Sequence, residues 1–313
     1  MIPKAALAIL DVIDKHQEVT VETLVSETGY SRKQVYRAVD ILVELDEISE
    51  RRGSKQRRIF HPGTGNMMTA FQRLSLSAGH VDWRDILKPS LLRVCWYLDE
   101  PQKIATIAGR LGKTERAVYS ALQPITDRAM LSPSGPKYAL AENVSQLQGF
   151  ADAFAYQSHR WRLRDIDSRG IIEWYEPLRV LVRSHTPEET ARFESANGWQ
   201  KTGVMALEEY GHRFHLPSEP LFWHGPEDEL SPEQIVCHVI QSDLEPRRVS
   251  YAMLLIVDLE LDLTVITELA KWYGVKDVIR DISMALEESG EWGESRRLPS
   301  RREFDQLKAQ YGV

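Results

Sequence analysis

The stretch "GYSRKQVYRAVDILVELDEIS" at residues 29–49 recurs 83 residues later as "GKTERAVYSALQPITDRAMLS" at residues 112–132. Without a gap, Gly29 aligns with Gly112, and six apolar or aromatic residues align with residues of the same kind. The pairs that carry the alignment are Val35 and Val118, Tyr36 and Tyr119, Ala38 and Ala121, Val39 and Leu122, Leu42 and Ile125, and Ile48 and Leu131. Two unrelated amphipathic helices would share an apolar stripe, but not a glycine and an aromatic residue in the same register. The pattern therefore predicts an internal duplication of one supersecondary unit.

Local signals divide the first copy into three helices. Apolar residues at helical spacing in "LAILDVI", residues 7–13, predict the first helix. Thr20 predicts the N-cap of the second helix, and Gly29 predicts its end, because a tight turn needs a residue that tolerates positive φ. Ser31 and Gln34 have the spacing of a capping box, which predicts the start of the third helix.

Positive charge is concentrated at the start of the third helix and in the segment that follows it. In "SERRGSKQRRIFHPG", residues 49–63, a Gly53-Ser54 turn separates two short basic strands. Five acidic residues of this copy are expected to lie away from this face: Asp11, Glu18, Glu22, Glu44 and Glu47. The alternative is a solvated helix and hairpin with no partner. The candidate binding residues are Arg32, Lys33, Gln34, Tyr36 and Arg37 on the helix and Arg51, Arg52, Lys55, Arg57 and Arg58 on the hairpin.

This order of helices, glycine turn and hairpin resembles the winged helix-turn-helix family. The resemblance covers residues 5–62 and, less closely, residues 86–140. It implies that the third helix enters the major groove of double-stranded DNA, while the hairpin, called the wing, contacts the backbone or the minor groove. Arg and Gln side chains suit base edges because they form paired hydrogen bonds, and the wing cations suit phosphates.

The second copy lacks most of these features, so we expect a different role for it. Ser120 stands where the first copy has Arg37, and Pro124 inside the third helix should kink or end it. Its wing, "LSPSGPKYAL", has a single cation, Lys137, which would release fewer counterions from DNA. Lys113 and Arg116 are its candidate DNA contacts. A supporting role is predicted, either a weaker DNA contact or a packing and dimer surface, with the structural role favoured.

The sequence predicts a mainly α protein with small β wings, in tandem winged helices, followed by a mixed α/β C-terminal domain. A strand is expected at residues 178–184 from the alternation in "LRVLVRS", and helices in the apolar-striped segments that follow. The tail has Arg296, Arg297, Arg301 and Arg302 and is expected to be a mobile basic segment with a final helical turn. The predicted division is a principal DNA reader at 1–62, a connector with one helical turn at 63–85, a second winged helix at 86–140, a connecting helix at 141–169, an α/β domain at 170–290 and a basic tail at 291–313.

Residues 170–287 resemble the C-terminal domain of abortive-infection-type antitoxins, which are winged-helix repressors. The resemblance rests on "TGVMAL" at residues 202–207, Tyr210-Gly211 and Ser231-Pro232-Glu233. It implies autoregulation of a neighbouring toxin gene, with a protein partner bound by the C-terminal domain.

No catalytic or metal-binding motif is evident. Asp165 and Asp167 form a D-x-D pair, as in nucleotidyltransferases, but no Gly-Ser phosphate-holding turn precedes it, and a solvated loop is favoured. His212, His215, His224 and His238, with Cys237, lack the spacing of a zinc site. We therefore expect neither an enzyme, nor a cofactor, nor a bound metal.

Composition sets wider bounds. The formal net charge of −7 weighs only weakly against nucleic acid binding, because the placement of the cations decides binding. The longest apolar run, Ala252–Val257, is too short to cross a bilayer, and the N-terminus has an amphipathic pattern unlike a signal peptide. Cys95 and Cys237 lie among apolar residues and are expected to be buried free thiols. A cytoplasmic location without membrane contact is expected.

Taken together, these patterns favour a sequence-specific double-stranded DNA-binding transcriptional regulator, in one form an autoregulatory antitoxin-like repressor. The alternatives are a plasmid- or virus-type replication initiator, which also pairs winged helices, and a degenerate nucleotidyltransferase-like enzyme. A homodimer is expected, because useful affinity for DNA usually needs two half-sites.

Overall fold

The computed structural model describes residues 2–53, 57–167, 170–212, 220–287, 292 and 297–313. The chain forms two compact units. Unit 1 consists of Met1–Asp165 with Glu176–Leu178, and unit 2 consists of Ile166–Tyr175 with Arg179–Val313. The fold class expected from the sequence is confirmed in its coarse form, since helices predominate and the sheets are small and antiparallel.

The first module, residues 2–62, begins unit 1 with three helices and a three-stranded sheet. Its caps are those that the sequence predicts: Thr20 Oγ1 accepts a hydrogen bond from the Thr23 N–H, and Gly29 ends the second helix at φ 69°. Ser31 and Gln34 form the predicted capping box. The elements are α1 (Lys4–His16), β1 (Val19–Thr20), α2 (Val21–Thr28), α3 (Arg32–Glu44), β2 (Ile48–Arg52) and β3 (Arg58–Pro62), with strand order β1-β3-β2.

The connector is more ordered than the single helical turn expected from the sequence. It contains α4 (Asn66–Ser77) and the short α5 (Trp83–Ile86). The Glu47 carboxylate accepts hydrogen bonds from the N–H groups of Met67 and Met68, at 3.2 and 2.6 Å, and so satisfies two of the free donors at the start of α4. Burial raises the pKa of Glu47 above its usual range. This acidic residue therefore holds α4 against the first module.

The second module, residues 89–140, repeats the first element by element. Its second helix has the bounds of α2 displaced by 83 residues and ends at Gly112 with φ 60°. The sheet order β4-β6-β5 repeats the order of the first module, which confirms the predicted duplication at the level of element order. Pro124 lies inside the third helix, which ends two residues later. The elements are α6 (Pro89–Cys95), β4 (Gln102–Lys103), α7 (Ile104–Leu111), α8 (Glu115–Thr126), β5 (Leu131–Ser134) and β6 (Lys137–Leu140).

The predicted connecting helix is α9 (Gln146–Leu163), which packs against both α4 and α6. Phe71 of α4 and Phe150 of α9 are both buried and meet edge to face at 5.5 Å between ring centroids. Aromatic pairs of this geometry add to the stability that burial alone provides. The contacts of α9 explain why it belongs to unit 1.

A buried polar cluster joins the second module to α9 within unit 1. The Glu176 carboxylate, fully buried, accepts hydrogen bonds from the Tyr97 hydroxyl at 3.1 Å and from the Arg110 guanidinium. The Glu176 carbonyl accepts one from His159 Nε2 at 2.7 Å. Because a carbonyl can only accept, His159 carries its proton on Nε2, which leaves Nδ1 free to accept a hydrogen bond from Arg162 at 3.3 Å.

Unit 2 has an antiparallel four-stranded sheet and a layer of helices. The predicted strand at residues 178–184 is present as β8, and the sheet order is β7-β8-β10-β9. Residues 203–210 form a 3-10 helical segment. The elements are β7 (Ile171–Tyr175), β8 (Val180–Arg183), α10 (Pro187–Ser195), β9 (Trp199–Thr202), β10 (Leu221–His224), α11 (Pro232–Ser242), α12 (Pro246–Asp258), α13 (Leu263–Tyr273), α14 (Lys276–Leu286) and α15 (Arg301–Tyr311).

The end of the chain is part of the unit 2 core, contrary to the expectation of a mobile tail. Helix α15 spans eleven residues and contacts α12. Phe304 and Leu298 are buried within the same apolar cluster as α11–α14. Of the tail arginines, Arg301 and Arg302 are exposed, and Arg296 lies outside the described residues. The burial of Phe304 and Leu298 packs this segment against the rest of the unit.

His238 lies in the centre of the unit 2 core. It is fully buried on α11, its Nδ1 lies 2.8 Å from the Thr202 hydroxyl, and its ring meets Tyr273 edge to face. Burial lowers the pKa of His238 from 6.5 to about 3, because a charged imidazolium would lose its hydration there.

Unit 2 is therefore expected to lose stability as the pH falls from 7 to 5. The unfolded chain takes up a proton at His238 below pH 6.5, whereas the folded chain does not until about pH 3. The free energy of unfolding should fall by about 2 kcal/mol over this range from His238 alone. Urea unfolding followed by pulsed hydrogen exchange in α11 measures the change. The His238→Asn variant, which cannot titrate, should show a pH dependence smaller by that amount; an equal dependence in both proteins would contradict this assignment.

Candidate nucleic-acid interface

Helix α3 has one buried face and one cationic face. Val35, Ala38, Val39, Ile41 and Leu42 are buried, as the helical spacing predicts. The opposite side exposes Lys33, Tyr36 and Arg37 in the first two turns of the helix. Among the described residues, neither Lys33 nor Arg37 has a carboxylate within ion-pair distance. These two charges are therefore available to an external anion.

Two other predicted residues of α3 have partners within the module. Arg32 Nη2 lies 2.6 Å from Glu22 Oε1 on α2, although both side chains remain well exposed. The Gln34 side chain accepts a hydrogen bond from the Ser31 N–H at 3.0 Å as part of the capping box. The pKa of Glu22 lies below its usual range because its carboxylate accepts a hydrogen bond from its own backbone N–H, with smaller contributions from Thr20, Arg32 and Arg57. In this conformation the Gln34 side chain therefore caps the N-terminus of α3.

Two of the hairpin cations also pair with acidic residues of the module. Arg51 pairs with Glu18 at 2.7 Å, while Arg52 and Arg57 are exposed and Lys55 lies outside the described residues. Arg58 is held by two hydrogen bonds to Glu50, at 2.8 and 2.7 Å, and by one to Asp40 at 2.9 Å. The Glu50 hydrogen bond is the main cause of the raised pKa of Arg58, and Asp40 adds to it. Arg58 thus links β3 to β2 and α3.

The expectation that the acidic residues lie away from this face is wrong for Glu18 and Glu22. They pair with cations of the face, and sequence reasoning also missed Asp40 and Glu50 as partners of Arg58. The alternation of side chains between the two faces of the hairpin could have predicted Glu50 as a partner of Arg58. It is opposite Phe60 in the strand register, and Arg58 lies two residues from Phe60 on the same side of the hairpin.

In the second module, Lys113, Arg116 and Ser120 are exposed at the start of α8. Arg116 and Ser120 line an open groove between α6 and α8 of about 510 Å³, together with Lys88 and Ser90 of the α6 start. Tyr119, the counterpart of Tyr36, packs edge to face against Tyr138 of the wing at 6.4 Å between ring centroids. The corresponding helices of the two modules therefore present different surfaces.

The other candidate sites from the sequence have structural explanations. Asp165 is exposed and pairs with Arg164, while Asp167 is buried, which corrects the expectation of a solvated loop. His212 Nε2 lies 3.0 Å from Asp258, and His215 lies outside the described residues. In the ranges that the structure describes, no three His, Cys, Asp or Glu side chains are arranged to hold a metal ion. Cys95 and Cys237 are free and buried, as predicted.

Part of the chain matches a protein-family model. A family model described as "HVO_2833_C, C-terminal" matches residues 196–313, which lie wholly in unit 2 and include α15. No curated protein matches the chain. None of the helices in the described ranges has the length and hydropathy needed to span a membrane.

Proposed function

We propose that the chain is a sequence-specific double-stranded DNA-binding transcriptional regulator, in which each N-terminal module is a winged helix-turn-helix and the first one reads sequence. The observation that best supports this is the exposed pair Lys33 and Arg37 on α3, which have no carboxylate partner among the described residues. An unpaired arginine in the first turns of a groove-entering helix can donate two hydrogen bonds to guanine.

The wing has a smaller role in this proposal than its charge suggests. Arg51 and Arg58 are neutralised by Glu18, Glu50 and Asp40, so each would have to exchange a carboxylate for a phosphate. Arg57 is exposed and is better placed for phosphate contacts, which position a protein on the duplex without reading its sequence.

The remaining parts of the proposal concern assembly and context. A homodimer would bring two first modules to two half-sites and would supply the affinity that one short helix lacks. Under the antitoxin-like form of the proposal, unit 2 binds a protein partner and the chain represses its own gene in the cytoplasm.

Replacement of Arg37 by Ala is expected to weaken binding to the preferred duplex by about 5- to 150-fold, which corresponds to a lost bidentate base contact of about 1–3 kcal/mol. The preferred duplex is first obtained by selection from a random pool, and affinities are measured by fluorescence anisotropy at one salt concentration. Binding to random duplex should change far less, because the loss is specific to a base.

Two matched variants test whether the position or the charge alone matters. Arg73→Ala removes an exposed arginine of α4, outside α3 and the hairpin, and should leave the preferred sequence and its affinity unchanged. Arg116→Ala removes the cation of the second module that aligns with Lys33 and should lower affinity modestly without changing the selected sequence. If only Arg116→Ala changes the selected sequence, the roles of the two modules are reversed. If no duplex binds better than random DNA, the proposed function is wrong.

A further inference from the structure

The groove between α6 and α8 continues inward into a smaller cavity. The open part, of about 510 Å³, and the inner part, of about 130 Å³, share Ser90, Ala117 and Ala121 in their walls. The alanines leave the space between the helices unfilled. Every residue that lines either part belongs to unit 1 and to the described ranges. We name the two parts together the α6–α8 groove.

The walls of this groove contain positive charge without negative charge. Lys88 and Arg116 line the open part, and Arg93 and Lys113 line the inner part, while neither wall includes an Asp or Glu. Among the described residues, Lys88, Lys113 and Arg116 form no ion pair, and the hydroxyls of Ser90 and Ser120 make no hydrogen bond. A concave surface lined by charges of one sign concentrates the electrostatic potential and attracts the opposite charge.

Arg93 faces the same space from a more buried position. Burial lowers the pKa of Arg93, because its charged form has lost part of its hydration. Apart from Ser90 and Lys113, the rest of the inner wall is apolar and includes Val94, Leu111 and Leu178. The groove thus combines a cationic, hydroxyl-lined mouth with a compact apolar end.

The first module has buried core residues at two positions that line this groove in the second module. At the matching positions of the first module, Leu7 and Leu10 are buried in the core where Ser90 and Arg93 line the groove. The first helix has 13 residues in the first module and 7 in the second. Loss of two core leucines costs packing. A binding site would explain why polar residues occupy these positions. A purely structural role for the second module would not explain them.

We infer that the α6–α8 groove binds a small molecule that has a phosphoryl group and a compact apolar group. The phosphoryl oxygens accept hydrogen bonds from Lys88, Arg116 and the serine hydroxyls at the mouth, since cations and hydroxyls are the donors that suit them. The apolar group lies against Val94, Leu111 and Leu178. This site is independent of the proposed DNA contact of α3, and it assigns the second module a ligand-binding role.

The test uses phenyl phosphate as a probe of the full-length protein without DNA. NMR titration at constant ionic strength should show saturable binding of one phenyl phosphate, about tenfold tighter than inorganic phosphate, because the ring buries apolar surface. Arg116→Ala and Lys88→Ala should each weaken phenyl phosphate about tenfold or more, since each removes a charge-assisted hydrogen bond. Both residues are exposed, so the variants should fold, and circular dichroism checks this.

Lys137→Ala is the matched control, because it removes an exposed lysine of the same module that does not line the groove. Its affinity for phenyl phosphate should equal that of the parent protein. Equal weakening by Lys137→Ala, or no saturable binding to the parent protein, would overturn the inference. The inference is also overturned if Arg116→Ala weakens duplex binding and the parent protein does not bind phenyl phosphate. The groove would then contact the DNA backbone. Failure of DNA binding alone leaves these titrations unaffected.

Discussion

Replacement of Glu176 by Met is expected to lower the free energy of unfolding of unit 1 by about 3–5 kcal/mol. The Glu176 carboxylate is fully buried and is bound by the Arg110 guanidinium and the Tyr97 hydroxyl. Removal of the acid leaves a largely buried guanidinium without its carboxylate, and the loss of a charge partner in the interior costs more than the loss of packing volume.

The measurement is urea unfolding followed by pulsed hydrogen exchange, read in peptides of α6, α7 and α9. Arg110 belongs to α7 and His159 to α9, and Tyr97 follows the last residue of α6 by two positions. Glu100→Met is the matched control, because Glu100 is an exposed acid of the same unit and should change the midpoint little.

A second variant separates the charge from the volume. The double variant Arg110→Met/Glu176→Met removes both charges at similar volume and should recover most of the lost stability, because a buried ion pair can be replaced by apolar residues at small net cost. A double variant as unstable as Glu176→Met alone would show that the loss came from packing or from the Tyr97 hydrogen bond. The ion pair would then not be what holds this cluster.

The local rules of helix formation made much of unit 1 predictable. Gly29 and Gly112 end the second helices because of their own backbone freedom, and Ser31 and Gln34 cap α3 with atoms three residues apart. Signals of this kind do not depend on the rest of the fold. The repeat was visible for the same reason, since caps and apolar spacing recur at one offset.

Some elements were missed although the sequence contained a local signal for them. Met67, Met68, Phe71 and Leu74 have the helical spacing of α4, but the turn signals of the preceding Pro and Gly residues favoured a loop with a single helical turn. Thr186 and Glu189 form a capping box around Pro187 that marks the start of α10. In both cases a longer window would have found the helix.

The partners of the cations were not predictable in the same way. Arg32 and Glu22 are on different helices, Arg58 and Asp40 are on different elements, and Glu47 caps a helix that begins nineteen residues later. Each pair depends on how the helices pack, which the spacing of one segment does not specify. A count of basic residues therefore overstated the free charge of the first module, and Lys33 and Arg37 remain as its strongest candidates for base contact.

The full difference between the two modules could not be predicted from the sequence either. The sequence showed that Ser120 and Ala117 replace Arg37 and Gln34, and this predicted a supporting role, either a weaker DNA contact or, as favoured, a packing and dimer surface. It did not show that Ser90 and Arg93, at positions of core leucines in the first module, would line an open groove. Small side chains on α8 and a short α6 act together to open that space, so no single position reveals it.

Replacement of Phe304 by Ala is expected to lower the free energy of unfolding of unit 2 by about 3–5 kcal/mol, as for other buried phenylalanines. Phe304 is 2% exposed, its ring centroid lies 5.7 Å from that of Trp292, and it belongs to the apolar cluster of α11–α14. Its removal leaves a cavity beneath α15, and the hydrogen exchange of α15 amides should speed up with the fall in the urea midpoint.

The same variant decides between a structural end of the chain and a basic arm. An arm that binds DNA or a partner through Arg301 and Arg302 would tolerate Phe304→Ala, because a mobile segment has no packing to lose. Gln306→Ala changes an exposed neighbour on the same helix and should alter neither the urea midpoint nor the exchange of α15. The match of residues 196–313 to one family model, through the last residue of the chain, agrees with α15 as part of that domain. If Phe304→Ala, like Gln306→Ala, changes neither the urea midpoint nor the exchange of α15, the Phe304 contact does not hold α15. Arg301 and Arg302 would then again be candidates for a binding arm.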